Sequence, residues 1–153
     1  MLRRITNEPF SFSTTWNLTM PHTVPTDCPF CHWADDPDQQ LVCRNESTLF
    51  LQSPRQQGAL FGSGVIIPIR HAETVFDLTP GEVSATFQLL AEVRRWMEAT
   101  YQPQGYNVGW NCWPVGGQDV MHAHMHVIPR FEQEPFAGRG IRYWLKQDSN
   151  RWR

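Results

Sequence analysis

The sequence predicts an α+β fold, in which an antiparallel sheet of about five strands packs beside one long helix and one or more short helices. Two observations support this prediction. Short runs of apolar and β-branched residues recur between turn-forming residues, and one stretch has apolar residues at helical spacing between clear start and stop signals. The chain has 153 residues, which suits one domain of ordinary size.

The predicted strands are short. An Asn-Glu turn at 45–46 separates the first two, and a continuous run of β-branched residues that ends near Pro68 predicts a buried third strand. A Gly-Gly pair at 116–117 separates the last two strands. The five predicted strands span residues 41–43, 47–51, 65–69, 106–111 and 120–128.

The long helix is predicted from three agreeing signals at its start. Thr79 is a capping residue, Pro80 occupies the first helical position, and Glu82 completes a capping box. Pro103 and Gly105 end the helix. The spacing of its apolar residues predicts one buried face, formed by Val83, Phe87, Leu90, Met97 and Tyr101.

The chain is predicted to consist of two parts. Residues 1–26 are rich in Thr, Ser, Asn and Pro and show no clean periodicity, so we expect them to form an N-terminal extension. Residues 27–153 are expected to form one domain that ends in a loop and tail around Gly138, Arg139 and Gly140.

Composition narrows the function classes. Lys and Arg number 13 against 15 Asp and Glu, and the net charge of −2 argues against a broad surface for nucleic acid or anionic membrane. No apolar run approaches the roughly 20 residues of a membrane span. The polar start of the chain lacks a secretory signal, so we expect a cytoplasmic protein.

Four cysteines divide into a pair and two single residues. Cys28 and Cys31 form a Cys-Pro-Phe-Cys motif, which in a reducing cytosol indicates metal binding or redox activity rather than a disulfide framework. Cys43 and Cys112 lie in apolar, strand-like contexts and are expected to be small buried residues.

Alternating histidines are the strongest chemical signal. In a strand, His122, His124 and His126 would project from one face, while Ala123 and Met125 pack into the core. These residues alone leave three interpretations open. They are a metal site of three imidazoles, a phosphate-handling site with a nucleophilic histidine, or a solvated face without a role.

The flanking residues resemble a known family. Asn111, Gly116, Gly117 and Gln118 precede the sequence His-Ala-His-Met-His-Val-Ile at 122–128, and Val-Ile-Ile-Pro-Ile-Arg-His lies upstream at 65–71. The whole pattern is similar to the histidine-triad family of nucleotide hydrolases and transferases. The resemblance extends from about Cys28 to Arg142 and implies the histidine-triad fold.

The resemblance also implies roles for the residues that match the family pattern. His124 would be the nucleophile that forms a nucleotidyl-histidine intermediate, and His126 and Gln118 would complete the catalytic set. Asn111, Gln118 and His126 would bind the substrate, a dinucleoside polyphosphate or a nucleotide phosphoramidate that is cleaved at its α-phosphorus. Family members pair edge to edge, which implies a homodimer.

The resemblance to a zinc-bearing branch of the family also implies a set of metal ligands. By resemblance, Cys28, Cys31, His71 and His122 would form a closed tetrahedron around a structural Zn²⁺, since four protein ligands leave no position for a reactive water. His32 is a weaker rival ligand. His22, in the N-terminal extension, is expected to have no specific role.

Two positions depart from the family pattern. Asp119 stands where many members have Ser or Thr, and an anion there would repel phosphate unless it faces away or pairs with a cation. Gln52 stands where many members have an Asp that binds the ribose hydroxyls, and we expect Gln52 to bind the ribose more weakly. Arg139 and Arg142 are phosphate-binding candidates or part of a solvated tail.

Other functions remain open at this stage. Nucleotidyl transfer to phosphate would use the same intermediate, and a nucleotide-binding regulatory protein could retain the site with little turnover. A zinc module that binds RNA through its aromatic residues is a third class, against which the net charge of −2 argues.

Overall fold

The computed structural model describes residues 25–151, so most of the predicted N-terminal extension (residues 1–26), including His22, lies outside the described residues. One five-stranded antiparallel sheet and one long helix confirm the predicted fold class. The elements are β1 (Gln40–Arg44), β2 (Thr48–Gln52), β3 (Gly64–Pro68), α1 (Pro80–Tyr101), β4 (Gly105–Trp110), β5 (Met125–Arg130) and α2 (Ile141–Leu145).

The strand order places the end of the histidine motif inside the sheet. The order is β1-β2-β3-β5-β4, and each neighbouring pair is antiparallel. The strand β5, which contains His126, therefore lies between β3 and β4, although it is the last strand in the chain. Between residues 25 and 151, no helix has the length and apolarity needed to cross a membrane.

The two faces of the sheet are covered differently. On one face α1 packs on the larger core cluster, which comprises Phe50, Ile66, Leu89, Val93, Met97, Met125 and Val127. On the other face, Phe30 and Trp33 from the Cys-Pro-Phe-Cys region pack on a smaller cluster of Leu49, Leu51 and Ile67. Because both faces are covered, every residue of β2 is buried.

The predicted buried face of α1 is correct at Met97 and wrong at Phe87, while Val83, Leu90 and Tyr101 are partly buried against the core clusters. The buried positions are Glu82, Thr86, Leu89, Val93 and Met97, whereas Phe87 is 53% exposed. The pattern misled because the helix buries two polar residues at its start. The Thr86 hydroxyl donates to the Glu82 carbonyl at 2.7 Å, and the Glu82 carboxylate is paired with Arg70, so both are buried with their polar atoms satisfied.

The predicted strand at 120–128 begins later than expected. β5 starts at Met125, and the segment before it follows an irregular path. The His122 amide donates to the Val120 carbonyl at 2.8 Å, and the Ala123 amide donates to the Ala72 carbonyl at 2.6 Å. Strict alternation therefore does not apply to His122 and His124, although Ala123 and Met125 are buried as predicted.

An ion pair joins the end of β3 to the start of α1. The Arg70 guanidinium donates to both carboxylate oxygens of Glu82, at 2.8 and 2.7 Å, and the Thr79 amide donates to Glu82 at 2.8 Å. Burial alone would raise the pKa of the Glu82 carboxyl, but the hydrogen bonds from Arg70 and Thr79 outweigh it and hold the pKa below its usual value. This contact fixes the residue that immediately precedes His71.

We predict that Glu82→Gln destabilises the protein at pH 7 by roughly 2–4 kcal/mol, because it leaves the Arg70 charge partly buried without its partner. Since the pKa of Glu82 is lowered in the folded state, its contribution is present above the ordinary value of 4.5 and is lost as the pH falls below it. Chemical denaturation at pH 7 and near pH 3 should show the difference from wild type shrinking in acid.

The matched control is Glu98→Gln. Glu98 pairs with Arg94 at 2.8 Å on the exposed side of the same helix, with side chains 46% and 66% exposed. We expect a change within about 0.5 kcal/mol at either pH. Equal losses for the two variants would contradict the role given to the Arg70–Glu82 pair.

Candidate functional site

Four predicted ligands meet in one cluster. The ligand atoms of Cys28, Cys31, His71 and His122 all lie within 4.8 Å of one another. The Nδ1 atom of His122 is 3.4 Å from the Cys28 sulfur and 3.6 Å from the Cys31 sulfur, and Nδ1 of His71 is 3.3 Å from the Cys31 sulfur. An ion with tetrahedral bonds of about 2.3 Å to sulfur and about 2.0 Å to nitrogen separates such atoms by about 3.5 Å. The donor set therefore fits a tetrahedral metal ion.

Three separate segments bring these ligands together. Cys28 and Cys31 lie on one tight turn, where the Cys31 amide donates to the Cys28 carbonyl at 3.1 Å. His71 follows the end of β3, and His122 precedes β5. His32 does not join the cluster, because its ring is exposed and Nε2 donates to the Pro25 carbonyl at 3.3 Å.

The ring of His122 has a fixed tautomer. Its Nε2 lies 2.9 Å from the Pro68 carbonyl, which can only accept, so Nε2 carries the proton and Nδ1 presents its lone pair to the cysteine sulfurs. Burial lowers the pKa of His122 to about 4, and the ring is therefore neutral at pH 7. A neutral imidazole held by a second hydrogen bond is the form in which histidine binds metals.

The same reasoning fixes the tautomer of His124. Its Nδ1 lies 2.7 Å from the His122 carbonyl and must donate, which leaves Nε2 unprotonated. The side chain is 6% exposed. The geometry therefore orients Nε2, whose lone pair can act as a nucleophile. If the ring becomes cationic, the His122 carbonyl stabilises the proton on Nδ1.

Phe30, which the sequence did not indicate, connects the cluster to His124. Its ring packs edge to face with His124 at 5.3 Å between centroids and with His122 at 5.8 Å. Because Phe30 lies between Cys28 and Cys31, the two ligands fix its position. Its place in the Cys-Pro-Phe-Cys motif is the signal that could have identified it.

His126 is half-buried beside His124, with ring centroids 4.9 Å apart. Its Nε2 is a buried atom without a hydrogen-bond partner among the described residues. Burial lowers the pKa of His126, the nearby His124 lowers it further, and the carboxylate of Asp119 opposes both effects. Asp119 itself is exposed.

Gln118 is buried, and its amide is occupied within the protein. Its oxygen accepts from the Trp113 amide at 2.7 Å, and its nitrogen donates to the carbonyls of Glu73 and Val120 at 2.6 and 2.9 Å. The side chain therefore holds the loop between β4 and the histidines. Within this loop, the exposed Asn111 donates to the Gly117 carbonyl at 3.1 Å.

Gln52 lies away from the histidines. It is 5% exposed, donates to the Gly62 carbonyl at 2.7 Å and accepts from the Tyr101 hydroxyl at 3.3 Å. Its amide is therefore engaged with the loop before β3. The structure does not bring Gln52 together with the other predicted substrate-binding residues.

A cavity of about 750 Å³ opens beside His126. β4 and β5 supply its floor, and its walls come from the loop at residues 59–61 and from residues 131–144, here called the C-terminal segment. Asn111 and His126 line the cavity, whereas Gln52 and Gln118 do not. Its size is within the range of about 300–1,000 Å³ that is typical of small-molecule sites.

Comparison with known proteins identifies the family. Residues 37–133 match the family model described as HIT domain, which covers more than half of the chain. The chain belongs to the HIT, or histidine-triad, family, as its sequence predicted.

Two curated relatives illustrate the range of the family. An uncharacterized 16.1 kDa HIT-like protein of Mycoplasma pneumoniae is 31% identical over 90 residues, which are 59% of this chain and 60% of that protein. The asymmetrical bis(5'-nucleosyl)-tetraphosphatase of Schizosaccharomyces pombe is 33% identical over 69 residues, 45% of this chain and 38% of that protein. The chain therefore matches less than two thirds of the length of either relative.

Solved structures share the fold. A protein from Streptococcus mutans is 28% identical with a TM-score of 0.66, over 76% of this chain and 73% of that chain. A zinc-bound histidine triad family protein from Mycobacterium smegmatis has a TM-score of 0.62 at 24% identity, over 74% of this chain and 82% of that chain.

We predict that Gln118→Glu destabilises the protein by roughly 2–4 kcal/mol, because in this buried side chain an oxygen would replace the nitrogen that donates to the carbonyls of Glu73 and Val120. Denaturant unfolding measures the change. The control is Asn111→Asp, which loses one exposed hydrogen bond and should cost less than about 1 kcal/mol. Similar losses in the two variants would show that the Gln118 bonds do not hold the loop.

Proposed function

We propose that this protein is a nucleotide hydrolase that cleaves at the α-phosphorus through a nucleotidyl-His124 intermediate. The observation that carries the proposal is the hydrogen bond from Nδ1 of His124 to the His122 carbonyl. This bond leaves Nε2 with a lone pair directed away from the backbone and keeps the ring from rotating.

The proposed reaction has two displacement steps. Nε2 of His124 attacks the α-phosphorus, a nitrogen–phosphorus bond forms, and the bond to the leaving group breaks with its electron pair. The ring becomes cationic, and the His122 carbonyl stabilises the proton on Nδ1. Water then attacks the phosphorus, the nitrogen–phosphorus bond breaks, and a nucleoside monophosphate is released. The hydroxyl of the water stays on the phosphorus, and its other proton ends on the leaving group.

His126 and Asn111 are the proposed substrate contacts. The buried, unpartnered Nε2 of His126 is suited to bind a phosphate oxygen or to transfer a proton to the leaving group. Asn111 is exposed at the same cavity and can donate to a non-bridging oxygen. We propose that Gln118 supports catalysis by holding the loop that carries Asn111, and we assign no substrate contact to Gln52.

The relatives favour dinucleoside polyphosphates as substrates. The Schizosaccharomyces pombe relative is a bis(5'-nucleosyl)-tetraphosphatase. Nucleotidyl transfer to an acceptor other than water would use the same intermediate. A nucleotide-binding regulatory protein with little turnover is the second candidate. The negative charge of Asp119 lies close enough to His126 to affect its pKa, and it would repel a phosphate bound there.

We propose that the Cys2His2 cluster holds one structural Zn²⁺. Thiolate and imidazole are preferred zinc ligands, and four protein ligands leave no open position, so the ion would stabilise the fold. The zinc-bound neighbour from Mycobacterium smegmatis supports this proposal.

By resemblance to the family, we also propose a homodimer that pairs at the edge strand β4, where Val108 is 38% exposed. The free thiols favour a cytoplasmic location.

We predict one zinc ion per chain in freshly purified, unchelated protein. Cys28→Ser should lose the metal and lower Tm by roughly 10 °C or more, because ligation is coupled to folding. Elemental analysis and thermal unfolding test this, with Cys43→Ser as the control, since Cys43 lies outside the cluster. Wild-type protein with well under one zinc per chain would refute the proposal.

We predict that His124→Ala reduces turnover roughly a thousandfold or more while zinc content is unchanged. His122→Ala should lose both zinc and activity, because it removes a ligand of the cluster. A screen of dinucleoside polyphosphates, nucleotide phosphoramidates and nucleotide sugars measures turnover. Acid-labile attachment of one nucleoside monophosphate to His124 would identify the intermediate.

The screen separates the candidate functions. Turnover that depends on His124 supports the hydrolase, and turnover that requires added phosphate supports the transferase. Nucleotide binding without turnover supports the regulatory protein. Full turnover by His124→Ala would reject His124 as the nucleophile.

A further inference from the structure

Five aromatic side chains and two arginines, Arg130 and Arg139, line the cavity. β5 continues from His126 to its end at Arg130, and the side chains gathered beyond that end form an aromatic end of the cavity, lined by Phe61, Phe131, Phe136, Trp144 and Arg139. Trp110 lies nearer His126, whose strand partner is Gly109, and no member of the Cys2His2 cluster lines the cavity. Phe61 is 61% exposed and Trp144 is 53% exposed. Aromatic surface of this kind, open to solvent in a concave site, is suited to stacking on a planar ring.

Arg139 is held in place by stacking. Its guanidinium carbon lies 4.8 Å from the ring centroid of Tyr143 and 5.4 Å from that of Phe136. Within residues 25–151, no carboxylate lies within ion-pair distance of it. A guanidinium that contacts aromatic rings keeps its N–H donors, and their planar arrangement matches the oxygens of a phosphate group.

Arg130 anchors the segment that carries Arg139. Its guanidinium donates to the carbonyls of Phe136 and Arg139, at 2.8 and 3.1 Å, and also binds Asn107 and Glu134. The charge of Arg130 is therefore satisfied by Glu134, whereas that of Arg139 is not. These contacts bind the C-terminal segment to β4 and β5, so the segment is not a solvated tail.

We propose that Arg139 and the aromatic end of the cavity bind the leaving half of a dinucleoside polyphosphate. Arg139 binds the phosphates beyond the scissile bond, and the aromatic side chains stack on the second nucleobase. The leaving group of a phosphoramidate is an amine without phosphate oxygens, and Arg139 would have no partner there. This inference rests on the proposed function and selects between its two substrate classes.

Binding measurements test the proposal without turnover. In a His124→Ala background, calorimetry compares diadenosine tetraphosphate with adenosine monophosphate, which occupies only the shared nucleotide site. Arg139→Gln should weaken tetraphosphate binding about tenfold or more, because it removes a charge-assisted bond, and should change monophosphate binding less than about twofold. Arg139→Lys keeps the charge without the planar fork and should fall between the two.

The matched control is Arg142→Gln. Arg142 lies three residues further on and does not line this cavity, so its substitution removes the same charge outside the proposed site. It should leave both affinities unchanged. The proposal is overturned if diadenosine tetraphosphate binds no more tightly than the monophosphate. It is also overturned if Arg139→Gln weakens both ligands equally or neither.

Turnover distinguishes this failure from failure of the proposed function. An enzyme that needs His124 but is unaffected by Arg139→Gln overturns the leaving-group site alone. A protein without turnover that still binds diadenosine tetraphosphate through Arg139 supports the site and overturns the hydrolase. In an active enzyme, Arg139→Gln should lower kcat/KM for diadenosine tetraphosphate and not for an adenosine phosphoramidate.

Discussion

His122 makes three contacts that fix both halves of the site. Its Nε2 donates to the Pro68 carbonyl, and its Nδ1 faces the two cysteine sulfurs. Its backbone carbonyl accepts a hydrogen bond from Nδ1 of His124. Each contact restricts the others, because the ring cannot rotate and the backbone cannot shift without breaking one of them. The tautomer and orientation of His124 are thus set by the same residue that completes the Cys2His2 cluster.

This constraint explains why the histidine motif does not start as a regular strand. His122 has to face the Cys-Pro-Phe-Cys turn, and His126 has to face the cavity beside β4. The irregular segment before Met125 separates these two directions. Gln118 stabilises it from the other side, by donating to the carbonyls of Glu73 and Val120. The candidate site is therefore divided between the Cys2His2 cluster and the cavity beside His126.

The sequence predicted the elements whose signals are local. The capping residues around Thr79 and the strands of the sheet are examples. Spacing combined with family resemblance indicated the four residues that the structure brings together in the Cys2His2 cluster. The sequence could not predict which polar residues are buried, because burial of Glu82 depends on Arg70, 12 residues away. The amide of Gln52 is engaged by a turn and a helix that are distant in the chain. Such pairings are tertiary and leave no periodic pattern.

The span of the metal cluster has a consequence for synthesis of the protein. Its first and last ligands, Cys28 and His122, are separated by 94 positions. During translation the two thiols emerge long before His122 does, so the nascent chain passes most of its synthesis with an unprotected Cys-Pro-Phe-Cys pair. Closing this loop carries an entropic cost, which the contacts of the assembled sheet offset. Oxidation of the pair to a disulfide in that interval would remove both thiols from the cluster, so the cluster can assemble only in a chain whose pair is still reduced when His122 emerges.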